Sequence, residues 1–387
     1  MLTASDEVRL AWLALTLTPR MGPTRTMRAA QYLQGIERLF TCSLTELEAA
    51  GLPAESAQFV FDGRARKAAV EEADRTRTLG AGFLTPDDES YPPSLLHIFD
   101  PPTVLWYRGS LSALQREGIA VVGTRHPTPY GAGMAQALSR DLALRGLGIY
   151  SGMARGVDTA AHKGALEAGA PTVAVWGTGI DVIYPKENKR LAEDIVASGG
   201  LILTEFATGT FPAPQNFPIR NRTLSGMSIG VLVVEGAEHS GTRITARCAL
   251  EQGRDIYAVP GNATNKNAWG PNTLIKQGAK LTASWMDVWE DLPSQLRTRL
   301  EDALGESSAD PNASLFKDAP ENAATTMSDH ERLVFSELRQ DEALQLDELI
   351  ERLEPKMVSG EIFTALFELE LAGRIKQMPG KNYLRCF

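Results

Sequence analysis

Cysteine is scarce: there are three in 387 residues, Cys42, Cys248 and Cys386, odd in number and far apart. That excludes a disulfide framework and leaves no Cys-x-x-Cys knuckle for a structural metal. Long apolar runs are also missing. None approaches the ~20 residues that cross a bilayer, so no membrane insertion is expected. The opening residues Met1 to Glu7 are acidic and show no secretory-signal pattern. Together these absences predict a reduced, cytoplasmic protein. A basic surplus is lacking too, since 39 Lys+Arg stand against 48 Asp+Glu for a net charge of -9. This argues against a generally basic nucleic-acid-binding module and against a membrane-surface protein.

The charge deficit is local. Residues 1–300 sum to zero, whereas residues 301–387 hold 9 basic and 18 acidic residues and carry the whole excess. Otherwise the composition, 43% hydrophobic and 22% charged, is that of a soluble globular chain long enough for two or three domains.

Four regions follow from pattern. Over 1–78, apolar residues recur mostly at three- and four-residue spacings (Leu10, Leu13, Leu17; Tyr32, Leu33, Ile36, Leu39, Phe40) and are broken at Gly22-Pro23 and Gly51-Leu52-Pro53. They predict a small helical domain of SAM or helix-hairpin-helix type, either a packing module or one touching a DNA backbone through helix N-termini. Over 79–295, β-branched runs at 119–122, 148–150, 172–176, 201–204, 230–234 and 255–259 alternate with helical stretches at 130–145, 159–168, 188–197 and 242–251. The alternation predicts an α/β domain, a Rossmann-like doubly wound and mostly parallel sheet. Ligands of such sheets bind beyond the carboxyl ends of the strands. Over 296–326 lies an expected acidic, flexible linker; from 301 to 322 it has six acids against Lys317, with Pro311 and Pro320. Over 327–387, helices at 330–339, 345–353 and 359–372 precede strands at 374–378 and 382–385 about a Pro379-Gly380 turn. Three helices and a β-wing predict a winged helix.

The strand ends carry the chemistry. The first reads Val122-Gly123-Thr124-Arg125, where glycine admits a ligand to the backbone and Arg125 offers a bidentate anion clamp. The second reads Ser151-Gly152-Met153-Ala154-Arg155-Gly156-Val157-Asp158, with Asp158 placed to cap the following helix. Asp158 and His162 are four apart but lack a third ligand, so His162 is expected to be a packed, hydrogen-bonded residue and no metal site is expected. The third reads Gly177-Thr178-Gly179 and leads to Tyr184-Pro185-Lys186. Three such loops in succession predict an amide-lined rim. Phe217-Pro218-Ile219-Arg220-Asn221-Arg222 is the most informative segment. Its guanidiniums, amide and aromatic suit a phosphate backbone and an unstacked base, and an inter-element salt-bridge cluster is the alternative. In a helix Arg220 and Arg222 would diverge, and in extended chain they would share a side. Ser240-Gly241-Thr242 opens a further helix N-terminus.

Taken in order, these loops, with Ala258-Val259-Pro260-Gly261 and Gly270 to Asn272, resemble the DNA-processing protein A (DprA/Smf) family. The helical domain and the winged helix extend the resemblance over nearly the whole chain. It implies a non-enzymatic protein without cofactor or metal that binds and protects incoming single-stranded DNA. It also implies loading of the RecA recombinase in natural transformation and recombination, and a homodimer joined through the Rossmann domains. Carried over residue by residue, the DNA site falls on Gly123, Thr124, Arg125, Lys186, Phe217, Arg220, Asn221 and Arg222, with Ser151, Gly152 and Met153 nearby. Two departures stand out. Thr124 replaces the usual serine and keeps its hydroxyl, while Pro212-Ala213-Pro214-Gln215-Asn216 lacks the basic residue that relatives often carry ahead of Phe217.

Three other readings compete. A nucleotide phosphoribohydrolase of the LOG type needs a glutamate after P-G-G-x-G-T, but His239-Ser240-Gly241-Thr242-Arg243-Ile244-Thr245 has none, leaving Glu205 and Glu235 as acids without an evident partner. A Ser151/His162/Asp158 triad would need a geometry that one helix does not readily set. A double-stranded DNA regulator would read through 359–372, which holds Glu361, Glu368 and Glu370 and no Lys or Arg; phosphate repulsion favours a protein contact there instead.

Overall fold

The computed structural model describes residues 4–238, 240–307, 327–339, 343–354, 356–372, 374–378 and 380–385. His239, Pro379, Cys386 and the expected linker from 308 to 326 lie outside the described residues.

Among the described residues five α-helices lead: α1 (Ala4–Leu17), α2 (Pro23–Leu33), α3 (Leu44–Ala49), α4 (Ala54–Phe61) and α5 (Arg64–Thr78). The expected breaks fall at Gly22, which caps α2, and at Gly51 to Pro53, between α3 and α4. Leu13, Leu39, Leu47 and Val60 bury their side chains in a core continuous with Trp106, Trp176, Ile195 and Ile202 of the next domain. The helical domain therefore packs on the sheet rather than hanging from it.

The α/β domain contains β1 (Gly82–Leu84), β2 (Leu105–Gly109), β3 (Gly118–Val122), α6 (Pro129–Leu144), β4 (Gly148–Ser151), α7 (Val157–Glu167), β5 (Thr172–Trp176), α8 (Lys189–Ala197) and β6 (Leu201–Thr204). It continues through α9 (Asn216–Met227), β7 (Gly230–Val233), α10 (Thr242–Glu251), β8 (Asp255–Ala258), α11 (Trp269–Lys276), β9 (Lys280–Leu281), α12 (Trp285–Trp289) and α13 (Ser294–Ser307). Among the described residues the nine strands form one sheet in the order 1-2-6-5-4-3-7-8-9. β3 to β9 run parallel, and β2 and β1 close one edge antiparallel. The two-residue period of β3 serves both faces. Ile119 and Val121 pack under α6, α7, α12 and α13, and Ala120 and Val122 pack under α9, α10 and α11. That two-sided burial explains why the strands read as unbroken apolar runs.

The chain leaves β3 for β4 on one side and returns through α9 to β7 on the other. The carboxyl ends of β3 and β7 therefore flank the topological switch point, where such sheets bind ligands. Glu235, buried just beyond β7, fastens it: its carboxylate accepts from Thr128 N at 2.9 Å and Thr128 Oγ1 at 2.6 Å. Thr128 in turn caps α6 by accepting from Gly131 N at 3.1 Å.

His162 is the packed residue expected, fully buried with Nδ1 2.8 Å from Thr172 Oγ1. Burial, and then the charge of Arg220, lowers its pKa to about 3 from an ordinary 6.5. The unfolded chain therefore binds the proton first, so stability is intact above pH 6.5 and falls as the pH drops from there toward 3. By NMR its ring is expected to stay neutral from about pH 5 to 8; a protonation midpoint inside that range would contradict this placement.

Where the linker was expected to begin at 296, α13 instead extends the α/β domain, because Leu296 and Leu300 pack with Val288 and Leu292. The last domain comprises α14 (Asp329–Glu337), β10 (Leu344–Gln345), α15 (Leu346–Leu353), α16 (Ser359–Leu371), β11 (Ile375–Met378) and β12 (Asn382–Arg385). Val334, Leu349, Ile362 and Leu369 form its own core, and its strands pair in the order 10-12-11, as a winged helix requires. No described helix is long and apolar enough to cross a membrane.

Candidate nucleic-acid interface

The site is built on loops held rigid from beneath. Beyond β4, Gly152 to Gly156 turn into α7, which is capped by Gly156 and not, as expected, by Asp158. Asp158 lies in the first turn, and its buried carboxylate reaches back to accept from Gly152 N at 3.1 Å and Ala154 N at 3.2 Å. Burial raises its pKa, against the opposing pull of Arg220, the two amides and Arg125. Met153 is buried in the left-handed region at φ 60°, and its carbonyl accepts from Asn188 Nδ2 at 2.8 Å. The loop thus spends its polar groups on its own shape.

The segment from Phe217 to Arg222 is helical, in the first half of α9. Its two arginines therefore diverge. Arg220 is 5% exposed and points under the rim, where Nη1 donates to Gly152 O and to Val175 O (2.7 Å) and Nε donates to Asn221 Oδ1 (3.1 Å). It staples the ends of β4 and β5. Burial lowers its pKa, with Asp158 opposing that fall. Arg222 is directed elsewhere, pairing with Asp100 at 3.0 Å and with Glu205 at 2.6 Å. Thr223 Oγ1 donates to the same Glu205 at 2.7 Å. The expectation that Arg222 shares a pocket with Arg125 is corrected: helical geometry delivers it to the salt-bridge cluster that was the alternative.

Above the staple, Arg125 is exposed and its guanidinium carbon lies 5.1 Å from the centroid of the Phe217 ring. Among the described residues it forms no ion pair. Tyr184 approaches the same ring at 5.8 Å with a 42° tilt. A hollow of about 330 Å³ opens here, lined by Gly123, Thr124, Arg125, Phe217, Arg220 and Asn221 and by Gly241 and Thr242 at the start of α10. Glycine is required at two of these strand ends. A Cβ on Gly123 would lie 2.5 Å from Val157 Cγ2, and one on Gly152 would collide with Arg220 Nη1. Gly152→Ala must displace the buried guanidinium, and an overpacking cost of about 1–3 kcal/mol is expected in urea denaturation. An unchanged midpoint would show that the staple yields freely.

Of the residues expected at the site, the structure brings together Gly123, Thr124, Arg125, Gly152, Phe217, Arg220 and Asn221. It does not bring in the rest. Ser151 is buried with Oγ donating to Val121 O at 2.7 Å, Met153 is buried, Arg222 is paired elsewhere, and Lys186 is exposed outside the hollow. The triad does not assemble, since Ser151, His162 and Asp158 each bond to a different partner. Glu205 and Glu235, the two spare acids, are engaged with Arg222 and Thr128. Sequence reasoning missed the scaffolding roles of Asn188 and Glu235. No local signal carried them, because their partners Met153 and Thr128 are 35 and 107 residues away.

Comparison with known proteins agrees with this architecture. The family profile described as DNA recombination-mediator protein A matches residues 82–293, and a DprA winged helix domain profile matches residues 317–381. Protein Smf of Escherichia coli is 41% identical over 307 residues, covering 78% of this chain and 77% of that protein. Protein Smf of Synechocystis is 32% identical over 397 residues, covering 97% and 98%. DNA processing protein DprA of Bacillus subtilis is 41% identical over 220 residues, covering 57% and 74%. The X-ray structure of DNA processing protein A from Streptococcus pneumoniae superimposes with a TM-score of 0.66 at 31% identity, covering 74% of this chain and 98% of that one. Matched over most of its length and in fold, the chain belongs to the DNA recombination-mediator protein A (DprA/Smf) family.

Proposed function

We propose that this protein binds single-stranded DNA at the switch-point rim of its sheet and hands the strand to the RecA recombinase in transformation and recombination. One observation carries the DNA reading: an exposed guanidinium, without an ion pair among the described residues, lies over an aromatic ring beside a glycine-walled hollow. Arg125 would neutralise a phosphate and Phe217 would stack an unstacked base, over loops in which Gly123 and Gly152 leave room for Val157 and Arg220 beneath. In a duplex the bases are stacked on each other, so double-stranded DNA is expected to bind more weakly. Membership of a family whose relatives bear the name DNA processing protein supports the same class of ligand. Recombinase loading, cytoplasmic location and a homodimer through the α/β domains extend the proposal on family grounds. In such a dimer two modest pockets would gain avidity.

A non-enzymatic role is part of the proposal. The engagement of Glu205 and Glu235 in structural contacts supports it over phosphoribohydrolysis. For the winged helix we propose a protein contact, since α16 exposes Phe363 and Phe367 one turn apart beside Glu361, Glu368 and Glu370. An anisotropy titration with single- and double-stranded oligonucleotides, run beside a nucleotide-hydrolysis assay, tests the core of this reading. Preference for the single strand without hydrolysis is expected. Equal affinities, or turnover of nucleotide, would overturn it.

A further inference from the structure

Phe211 is 76% exposed, while its carbonyl accepts from Asn216 Nδ2 at 3.4 Å. The loop between β6 and α9 is pinned on three sides. Gly179 N donates to Thr210 O at 2.9 Å, and Gly209 N donates to Asp181 Oδ1 at 2.8 Å. Thr208 gives its N and Oγ1 to the carboxylate of Glu72 on α5, at 2.7 and 2.8 Å. Glu72 is itself buried at 4% exposure, so the helical domain spends a buried carboxylate on shaping this loop. Pro212 and Pro214 stiffen the chain that follows.

The loop is continuous with the proposed DNA rim. Asn216 Nδ2 bridges the carbonyls of Gly177 (3.1 Å) and Phe211 (3.4 Å). Gly177 lies directly under Phe217, whose ring would be 3.1 Å from a Cβ placed there. The two phenyl-bearing positions thus flank one clamp. Arg75 of α5, half exposed, pairs with Glu72 at 3.5 Å and reaches Thr208 Oγ1 at 3.4 Å, so it braces the same stretch.

We propose that Phe211 is a second base-stacking position for the same single strand. The strand would run from the Arg125–Phe217 site over the ends of β5 and β6 toward α5. This rests on the reading of the Arg125–Phe217 rim as a single-stranded DNA site. Stacking on a rigid aromatic costs little ordering entropy and tolerates any base. It also fits a segment that carries no Lys or Arg between Phe206 and Ile219. The helical domain then acts through Glu72 as the positioner of a binding loop. Phe211 makes its contact through base rather than phosphate, so it contributes affinity without salt dependence.

The test is binding of fluorescent oligo-dT, a short one filling only the Phe217 position and a longer one, to the full chain and to Phe211→Ala, Phe211→Tyr and Phe217→Ala. Phe211→Ala is expected to weaken the long oligonucleotide roughly tenfold with an unchanged salt slope. It should leave the short one unaffected, and Phe211→Tyr should restore binding. If Phe211→Ala binds the long strand like wild type while Phe217→Ala is weakened, the second position is wrong and the rim reading stands. If neither variant is weakened, the rim reading fails and takes this proposal with it. A changed salt slope in Phe211→Ala, or no rescue by tyrosine, would also overturn stacking at Phe211. Because the Phe211 ring is exposed, folding is not at issue in its two variants.

Discussion

Arg222→Ala is expected to lower folding stability by about 3–5 kcal/mol, the range for removing one partner of a buried pair. The reason lies in what it leaves behind. Glu205, with 8% of its side chain exposed, would keep only the hydroxyl of Thr223 as a partner among the described residues, and Asp100 would lose its counter-charge. Burial already raises the pKa of Glu205, and Arg222 is the largest influence holding it down. Without Arg222 that pKa rises further, so the folded variant retains a proton that the unfolded chain releases near 4.5. The penalty is therefore complete above the raised pKa and is relieved as the pH falls toward 4.5. Urea denaturation at neutral and mildly acidic pH should show the variant recovering part of its loss in acid. Adding Glu205→Gln should recover much of it at neutral pH, the non-additivity expected of contacting residues. A variant as stable as wild type, with a shallower salt dependence of DNA binding, would instead make Arg222 a phosphate contact.

At the rim, the combined Arg125→Ala and Phe217→Ala variant is expected to bind single-stranded DNA at least about a hundredfold more weakly, the order expected from losing one charge-assisted contact and one stacked base. The single variants separate the two contributions. Arg125→Ala removes a counterion-releasing contact, so the slope of log affinity against log salt should become shallower by about 0.7. Phe217→Ala should leave that slope alone while losing about 1–3 kcal/mol of binding. The two effects should not simply add, because the guanidinium is positioned over the ring it would lose. Arg125 is exposed and forms no ion pair among the described residues, so its removal should leave the unfolding midpoint nearly unchanged. Wild-type affinity in both single variants would place the DNA site elsewhere. A loss in Arg125→Ala without any change of salt slope would deny it a phosphate.

Much of the fold was legible because its signals are local. The run Thr172 to Trp176 and the helix from Thr242 to Glu251 fall where periodicity put them, since an apolar strand and an amphipathic helix each declare themselves within a few residues. The end of the α/β domain was not legible. The stretch after 296 is polar enough to read as linker, and only Leu296 and Leu300 meeting Val288 and Leu292 make it a packed helix. The site divided in the same way. Gly123, Arg125 and Phe217 could be picked out by residue type and by position after a strand or before one, and the structure assembles them. Arg220, Asn221 and Arg222 looked like one cluster until the helix turned Arg222 away from the other two.

The sequence alone therefore determined the order of the elements, the rim on which the chemistry gathers, and the concentration of negative charge in the last 87 residues. Only the tertiary structure decided which charges remain available. Arg125 is left in solvent, Arg220 is consumed by the carbonyls of Gly152 and Val175, and Arg222 is consumed by Asp100 and Glu205. The physical reason is that a guanidinium's role depends on its partners. Those partners lie 17 to 122 residues away in sequence and within 3.0 Å in space, a coincidence that no local pattern encodes.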